Sequence, residues 1–264
     1  MDDAADAETQ HKNHAVYFVP GLHRGLRVLE IVAAARRPLS ITEIASELGL
    51  TRSSVFRLIY TLRHMGFLEE EQSKQFALGP RVLNIGFAFL ASKDIIEIAR
   101  PELEALRDET LVSAHLAIRD ERDVLYLSCV QTRSGFLSNM NVGSRVPAYA
   151  SPMGWLLLAG LPQAELEELF RKERFVPLTS QTPTTTPELI ATVEAAAARG
   201  HVVSRGVMEA AGSSISAPII DRRGTVVAAI DISGPDSAFD LDQIDGRYLA
   251  AVRAAARRIS ERLG

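Results

Sequence analysis

The segment from 51 to 64 combines arginines with short hydroxyl side chains and contains no Asp or Glu. Arginine can donate paired hydrogen bonds to guanine edges, and hydroxyls at a helix start can meet phosphate oxygens. The pattern therefore predicts a helix that shows only cationic and short polar groups to solvent and fits the DNA major groove. An ordinary helical hairpin with a solvated basic face is the alternative. The residues of this segment predicted to contact DNA are Thr51, Arg52, Ser53, Ser54 and Arg57.

Flanking elements are expected to position this helix. Ser40 and Glu43 have the spacing of a capping box, and Gly49 is suited to end the short helix that they begin. Residues 67–78 predict a two-stranded hairpin with a polar tip, which is a wing. Lys74 at this tip and Arg24 on the preceding helix are the further expected DNA contacts. Residues 17–79 are thus predicted to form a winged helix-turn-helix domain.

Composition limits the classes of protein to consider. The chain has 264 residues and a net charge of −4, so any positive surface must be local. The single cysteine excludes an internal disulfide and fits a reducing cytoplasm, where we expect the protein to act. No apolar run approaches the length that spans a bilayer, so no membrane partner is expected.

The rest of the chain predicts a second, α+β domain. Residues 1–16 are polar and aperiodic, which predicts a disordered tail. Residues 80–93 predict a linker helix with almost no polar face, which must be covered either by the second domain or by a partner chain; of the two, we expect a dimer interface. From 94 to 264, the order of helices and strands predicts an antiparallel sheet carrying helices. The expected details include a helix break at Pro101, a strand at 137–142, Thr186 as a helix cap and a closing helix at 242–263.

Two places in this second domain have groups that could hold a small molecule. The helix start at Ser151-Pro152-Met153 offers free N–H groups and the positive end of a helix dipole. Ser214 and the pair Asp231 and Ser233 lie at the ends of predicted strands and offer hydroxyls and a carboxylate. The alternatives are a well-capped helix that binds nothing, and turn chemistry beside a solvated Asp231.

Catalysis and metal binding find little support in the sequence. No motif of the common hydrolases, zinc enzymes or phosphate-binding loops occurs, and the six histidines are scattered. His115 lies in a predicted strand and is expected to pack or to be half exposed. We therefore predict no enzyme activity, no catalytic residue, no metal site and no cofactor.

Several stretches together resemble the isocitrate-lyase-regulator (IclR) family. They are PLSITEIASELGLTRSSVFRLIYTLRHMGFLE, ALGPRVLNIG, VGSRVPAYASPMGWLLLAGL, RGHVV and SAPIIDRRGTVVAAIDISGP. The resemblance implies a bacterial transcription factor with a GAF-like effector-binding domain at 94–264. It also implies dimers formed through the DNA-binding domains, and often tetramers. The segments GFAFLAS and VGSRVPAYASPMG are most similar to the branch that senses aromatic acids.

The resemblance also implies a ligand site. In the family, backbone at the helix start holds the acid, four side-chain positions complete the site, and apolar walls enclose it. Carried over to this chain, these positions are Pro152 and Met153, then Ser204, Ser214, Asp231 and Ser233, then Val146 and Gly212.

Some positions depart from the family pattern. Ser204-Arg205 stands where the family usually has an acidic pair, and Gly212-Ser213 where it has Leu-Arg. Asp231 replaces a small or amide residue, and Trp155 replaces a basic one. We expect Gly212 to add room and Asp231 to disfavour a nearby carboxylate, so that a hydrazide, amide or phenol end of an aromatic ligand points at Asp231.

The sequence as a whole predicts a regulator that binds a palindromic double-stranded operator and is controlled by a small, aromatic acid-type effector. A repressor is expected, acting as a dimer or tetramer. Two alternatives remain: a DNA-binding protein without a ligand, and an enzyme acting on a small aromatic whose N-terminal domain only dimerises.

Overall fold

The computed structural model describes residues 16–132 and 140–263. Their contacts divide the chain into two compact units, Met1–Ser92 and Lys93–Gly264. All but the last residue of the tail predicted at 1–16 lies outside the described residues.

The first unit is a helix cluster with a small antiparallel sheet. Its elements are α1 (Pro20–Ala35), β1 (Leu39–Ser40), α2 (Ile41–Leu48), α3 (Arg52–His64), β2 (Leu68–Glu71), β3 (Gln75–Leu78) and α4 (Arg81–Ala91). The strand order is β1–β3–β2, so β2 and β3 form the predicted wing. Val28 of α1, Ile44 of α2 and Val55 and Ile59 of α3 are buried together in its core. The predicted winged helix-turn-helix fold is confirmed.

Local capping determines where the two helices of the motif begin and end. Ser40 and Glu43 form a complete capping box at the start of α2, as predicted. Gly49 ends α2 in the left-handed region, with φ at 63°, where a residue with a Cβ would be strained. The Thr51 hydroxyl accepts a hydrogen bond from the Ser54 amide and so caps α3. The turn between α2 and α3 is therefore determined by residues adjacent in sequence.

The second unit is a six-stranded antiparallel sheet with helices on both faces. Its main elements are α5 (Asp94–Thr110), β4 (Ser113–Asp120), β5 (Asp123–Val130), β6 (Arg145–Pro147), α6 (Pro152–Leu158), α7 (Gln163–Phe170), α8 (Thr186–Arg199), β7 (Val202–Arg205), β8 (Gly212–Ile220), β9 (Val226–Pro235) and α9 (Leu249–Leu263). The strand order is β6–β5–β4–β9–β8–β7. The predicted α+β class is confirmed.

The two faces of this sheet differ in chemistry. Alternate residues such as Leu116, Ile230 and Ile215 are fully buried on one face. The helices α5 and α9 pack together and against the sheet, and the short helix α6 contacts the five strands from β5 to β7 in the sheet order. The other face carries polar residues on β4, β9, β8 and β7. Because cross-strand neighbours point the same way, these polar side chains lie next to one another. This polar face is where the candidate ligand site forms.

Some expected details of the second unit were wrong. α5 continues through Pro101, because proline removes only its own N–H and buried residues on both sides hold the helix in place. Thr185, not Thr186, caps α8, since its hydroxyl accepts from the Glu188 amide. Residues 140–142 form no strand, and 137–139 lie outside the described residues. A 3-10 turn and a π-helical turn precede α9, which starts at 249 rather than 242.

Candidate nucleic-acid interface and ligand pocket

The helix α3 is anchored by one side and exposed on the other. Val55 and Ile59 are buried in the core of the first unit, whereas Arg52, Ser53 and Arg57 are exposed. Within residues 16–132 and 140–263, neither Arg52 nor Arg57 forms an ion pair, so both guanidinium groups are available to a ligand. The exposed Ser53 and Ser54 hydroxyls lie 3.1 and 3.0 Å from the Thr51 hydroxyl, at the helix start.

A third arginine of α3 is not available in the same way. Arg63 forms an ion pair of 2.7 Å with Glu70 on the wing strand β2. Its guanidinium also lies over the Phe76 ring of β3, at 5.8 Å from the ring centre. Arg63 therefore joins α3 to the wing, and one of the three adjacent wing glutamates is neutralised.

The exposed face of α3 is not purely polar, and that prediction was wrong. Phe56 is 54% exposed and Tyr60 is 62% exposed. The core takes up one stripe of the helix, built from Val55, Leu58 and Ile59. One helical turn separates Phe56 from Tyr60, and neither position falls on that stripe. Counting helical positions around Val55 and Ile59 was enough to find this in the sequence.

The two remaining predicted DNA contacts are exposed. Lys74 lies at the tip of the wing, where Ser73 and Lys74 both adopt positive φ values of 68° and 59°. Arg24 lies in the first half of α1 and is exposed. Cationic side chains are thus presented by the helix, by the wing and by α1, each on the surface of the first unit.

A pocket of about 70 Å³ opens on the polar face of the sheet in the second unit. Ser204, Ser214, Ser233 and Gly212, four of the eight predicted ligand-site residues, line it. The other residues of its lining are Tyr126, Met140, Val207, Met208, Glu209, Ser213 and Gly234. Hydroxyls, apolar groups and the carboxylate of Glu209 therefore share the wall, and such a mixture of apolar surface with a few polar groups is the usual character of a small-molecule site.

Strand register explains why three serines meet there. Ser204 of β7 lies opposite Ser214 of β8, and Ser214 lies opposite Ser233 of β9. Directly opposed residues of antiparallel strands project from the same face. The hydroxyls of Ser204 and Ser214 are 3.0 Å apart. The three strands thus present a row of hydroxyl groups to the pocket.

Pro152, Met153 and Val146 do not belong to the lining of this pocket. Pro152 and Met153 are buried at the start of α6, and Val146 is half-buried on the edge strand β6. The Ser151 hydroxyl accepts from the Gly154 amide. A Cβ on Gly154 would lie 2.2 Å from the Ala148 carbonyl oxygen, so this helix start packs closely on its own backbone.

Asp231 and His115 form a buried pair beside the pocket. His115 is fully buried and its Nδ1 lies 2.8 Å from Oδ1 of Asp231, which is itself buried. The solvated Asp231 and the half-exposed His115 considered from the sequence are therefore excluded. Because β4 pairs with β9, His115 lies directly opposite Asp231. A carboxylate only accepts hydrogen bonds, so Nδ1 of His115 is the donor.

The geometry around this pair is not that of a nucleophile with its base. The Ser233 hydroxyl lies 3.3 Å from Nδ1, the same ring nitrogen that contacts Asp231. A base would need its other nitrogen beside the hydroxyl. That atom, Nε2, is buried and has no hydrogen-bond partner among the described residues, and neither has the Ser216 hydroxyl.

Burial also suppresses ionisation of the neighbouring groups. It raises the pKa of the Tyr126 phenol well above its ordinary value, and the negative charge of Asp231 adds to this shift. Burial and Asp231 likewise raise the pKa of the Cys129 thiol to about 12. Because its pKa is raised, Tyr126 presents a neutral phenol to the pocket at neutral pH.

Residues 16–132 and 140–263 contain neither a metal-binding cluster nor a membrane-spanning helix. No group of three or more His, Cys, Asp or Glu side chains is placed to hold a metal ion. None of the helices in this part of the chain has the length and hydropathy that crossing a membrane requires.

Comparison with known proteins identifies the two units. Residues 21–72 match the IclR helix-turn-helix domain, and residues 87–261 match the C-terminal domain of the bacterial transcriptional regulator IclR. The Pca regulon regulatory protein of Pseudomonas putida is 30% identical over 247 residues, which cover 93% of this chain and 84% of that protein.

Solved structures agree with this assignment. A crystal structure from Rhodococcus sp. RHA1 has a TM-score of 0.81 and 33% identity, covering 93% of this chain and 98% of the other. The fold is also shared with an IclR homologue from Microbacterium hydrocarbonoxydans complexed with 4-hydroxybenzoate, with a TM-score of 0.78, 24% identity and coverage of 92% and 98%. The chain therefore belongs to the IclR family of transcriptional regulators, which bind DNA and carry an effector-binding C-terminal domain.

Proposed function

We propose that the protein is a repressor that binds a palindromic operator through α3 and is controlled by a small aromatic effector in the pocket of its second unit. The observation that carries the proposal is the pair of exposed, unpaired guanidinium groups of Arg52 and Arg57 on α3, within the described residues. They lie just after the capped helix start, where a recognition helix meets base edges.

The DNA contacts divide into two kinds. Arg52 and Arg57 would read base edges, because a guanidinium can bond O6 and N7 of guanine together. Thr51, Ser53, Ser54, Arg24 and Lys74 would contact phosphates and fix the register of the helix. A dimer would place two copies of α3 about one helical turn of DNA apart or a multiple of it, which makes the operator palindromic. Association of dimers into tetramers would then allow two operators to be bound.

The pocket suits a flat molecule with polar ends. Ser204, Ser214 and Ser233 offer hydroxyls, while Met208 and Val207 offer apolar surface beside the Tyr126 ring. Methionine side chains adapt to the shape of a ligand, so the pocket can enlarge around a ring. The structural relative that carries 4-hydroxybenzoate supports the choice, because it shows that this fold accommodates a small aromatic acid.

The effector would alter DNA binding by favouring one arrangement of the dimer or tetramer over another. Asp231 would influence how the effector is oriented in the pocket. A buried carboxylate next to the pocket repels a ligand carboxylate, so we propose that a phenol, amide or hydrazide end points toward Asp231 and Ser233. Pro152, Met153 and Val146 would act by supporting the wall, since they do not line the pocket.

The experiment is operator binding by fluorescence anisotropy, on DNA obtained by in vitro selection from random sequence. Arg52→Ala and Arg57→Ala should each weaken binding by about 1–3 kcal/mol, because each removes a base contact. Affinity for an aromatic effector should stay the same. Arg171→Ala, which removes an exposed arginine of the second unit, is the matched control and should change neither affinity.

Undiminished operator binding by both α3 variants would refute the assignment of the recognition helix. Repeating the operator titration in the presence of protocatechuate or 4-hydroxybenzoate tests whether an effector changes operator affinity. If no aromatic compound changes operator affinity, the protein binds DNA without such a ligand.

A further inference from the structure

The exposed face of α3 holds two aromatic rings that the arginine contacts do not explain. Phe56 and Tyr60 are each more than half exposed, and their ring centres are 6.4 Å apart. A single exposed aromatic residue is common and needs no account. Two adjacent rings on the outward face of a short helix form an apolar patch, which implies a partner.

The surroundings of the rings indicate what kind of partner it is. Arg52, Phe56 and Tyr60 follow one another at intervals of four residues and form one row along the helix. Ser53 and Arg57 form the adjacent row. No acidic residue lies on α3. The unpaired cations Arg52 and Arg57 border Phe56, whereas Tyr60 shares a groove with Arg63 and the wing residues Glu69 and Glu70, of which Glu70 is paired with Arg63. An apolar patch flanked by unpaired cations fits a polyanion that also offers apolar groups better than it fits the apolar surface of a protein.

The DNA major groove offers one such apolar group, the C5 methyl of thymine, and apolar side chains read it directly. We propose that Phe56 and Tyr60 contact the methyl groups of two thymines in each half-site. The proposal rests on α3 being the recognition helix, and it makes the two rings determinants of sequence specificity beside Arg52 and Arg57.

The spacing of the rings makes the proposal specific. Successive bases on one strand are about 3.4 Å apart along the axis. Ring centres separated by 6.4 Å therefore span about two base steps. The two thymines are expected about two steps apart in the half-site, next to the guanine contacts of the arginines.

The test replaces each thymine of the selected half-site with deoxyuridine, one at a time, which removes only the methyl group. For the native protein, two positions should each lose about fourfold in affinity, the effect of burying roughly one methyl group. Phe56→Ala should lose its sensitivity to the replacement at one of these positions and Tyr60→Ala at the other. Tyr60→Phe keeps the ring and should behave like the native protein.

Arg57→Ala is the matched control on the same helix. It should weaken binding to all the duplexes while leaving the ratio between thymine and deoxyuridine unchanged. Because all these side chains are exposed, thermal unfolding by circular dichroism should show native-like stability for every variant.

Two results would overturn the proposal. One is a native protein for which no single thymine replacement changes affinity. The other is that Phe56→Ala and Tyr60→Ala both keep the native ratio of affinities for the thymine and deoxyuridine duplexes. A change in the sedimentation of these variants would then show that the rings contact protein.

If Arg52→Ala and Arg57→Ala leave operator affinity unchanged, the recognition helix itself is misassigned. If those two weaken binding and the aromatic variants keep the native ratio, only the thymine contact fails.

Discussion

At the scale of single residues, we expect the Asp231–His115 pair to determine which end of a ligand the pocket accepts. Asp231→Asn keeps the shape and the hydrogen bond to His115 but removes the negative charge. Affinity for an aromatic acid should then rise about tenfold relative to its amide, because about 1.4 kcal/mol of charge repulsion is relieved. Isothermal titration with matched acids and amides measures this ratio.

Asp245→Asn provides the control for this change, because it neutralises an exposed carboxylate of the same unit. The ratio of acid to amide affinity should not move in that variant. An Asp231→Asn protein with the native ratio would show that the charge of Asp231 does not reach the ligand.

The same residues show what sequence reasoning finds and what it misses. Ser204 and Gly212 were assigned to the ligand site from resemblance alone, Ser214 and Ser233 also from their places at the ends of predicted strands, and the structure brings all four into one pocket. His115 was missed because its partner lies 116 positions away along the chain. No local pattern indicates that β4 pairs with β9. Packing of His115 was one of two expectations for a residue in a strand, but its bond to Asp231 was not predictable.

At the scale of elements, the capping box of α2 fixes the turn that presents α3. Ser40→Ala removes the hydroxyl that accepts from the Glu43 amide and should lower the stability of the first unit by about 1 kcal/mol. Urea unfolding followed by circular dichroism measures the loss. Ser46→Ala, at an exposed site of the same helix, should have almost no effect.

Acid should weaken the same cap. Hydrogen bonds from the Ser40 amide and hydroxyl, with Arg37 nearby, lower the pKa of Glu43 from 4.5 to about 2. A group whose pKa is lowered on folding contributes stability that is present above pH 4.5 and is lost as the pH falls toward 2. The stability difference between the native protein and Glu43→Gln should therefore shrink across that range.

Elements defined by neighbouring residues were predictable, and those defined by distant contacts were not. Ser40, Glu43 and Gly49 determine the limits of α2 through bonds that span only a few positions. Pro101 was expected to break a helix, yet burial of α5 against the sheet keeps it continuous. The outward position of Phe56 and Tyr60, by contrast, follows from the buried stripe of Val55, Leu58 and Ile59, so the sequence contained it although the prediction of a purely polar face overlooked it.

At the scale of the whole molecule, the helix α4 is where we expect a second copy of the chain to bind. No residue of α4 is buried, and the large apolar side chains of Leu83, Ile85 and Phe87 are each more than half exposed. An isolated helix of this length is marginal in water, so we expect an apolar partner surface to stabilise it. Leu22 and Leu26 of α1 are exposed too. A twofold contact through these residues would produce the symmetric dimer that a palindromic operator requires.

Phe87→Glu is the variant that tests this contact, because it places a charge in the centre of the exposed apolar surface. It should shift the protein toward smaller species in sedimentation velocity, and operator affinity should fall with the loss of paired half-sites. Effector affinity should be kept, because every residue that lines the pocket belongs to the second unit. Phe87→Leu preserves the apolar character and should assemble normally. A Phe87→Glu protein that sediments like the native one would mean that α4 is covered by something other than a second copy.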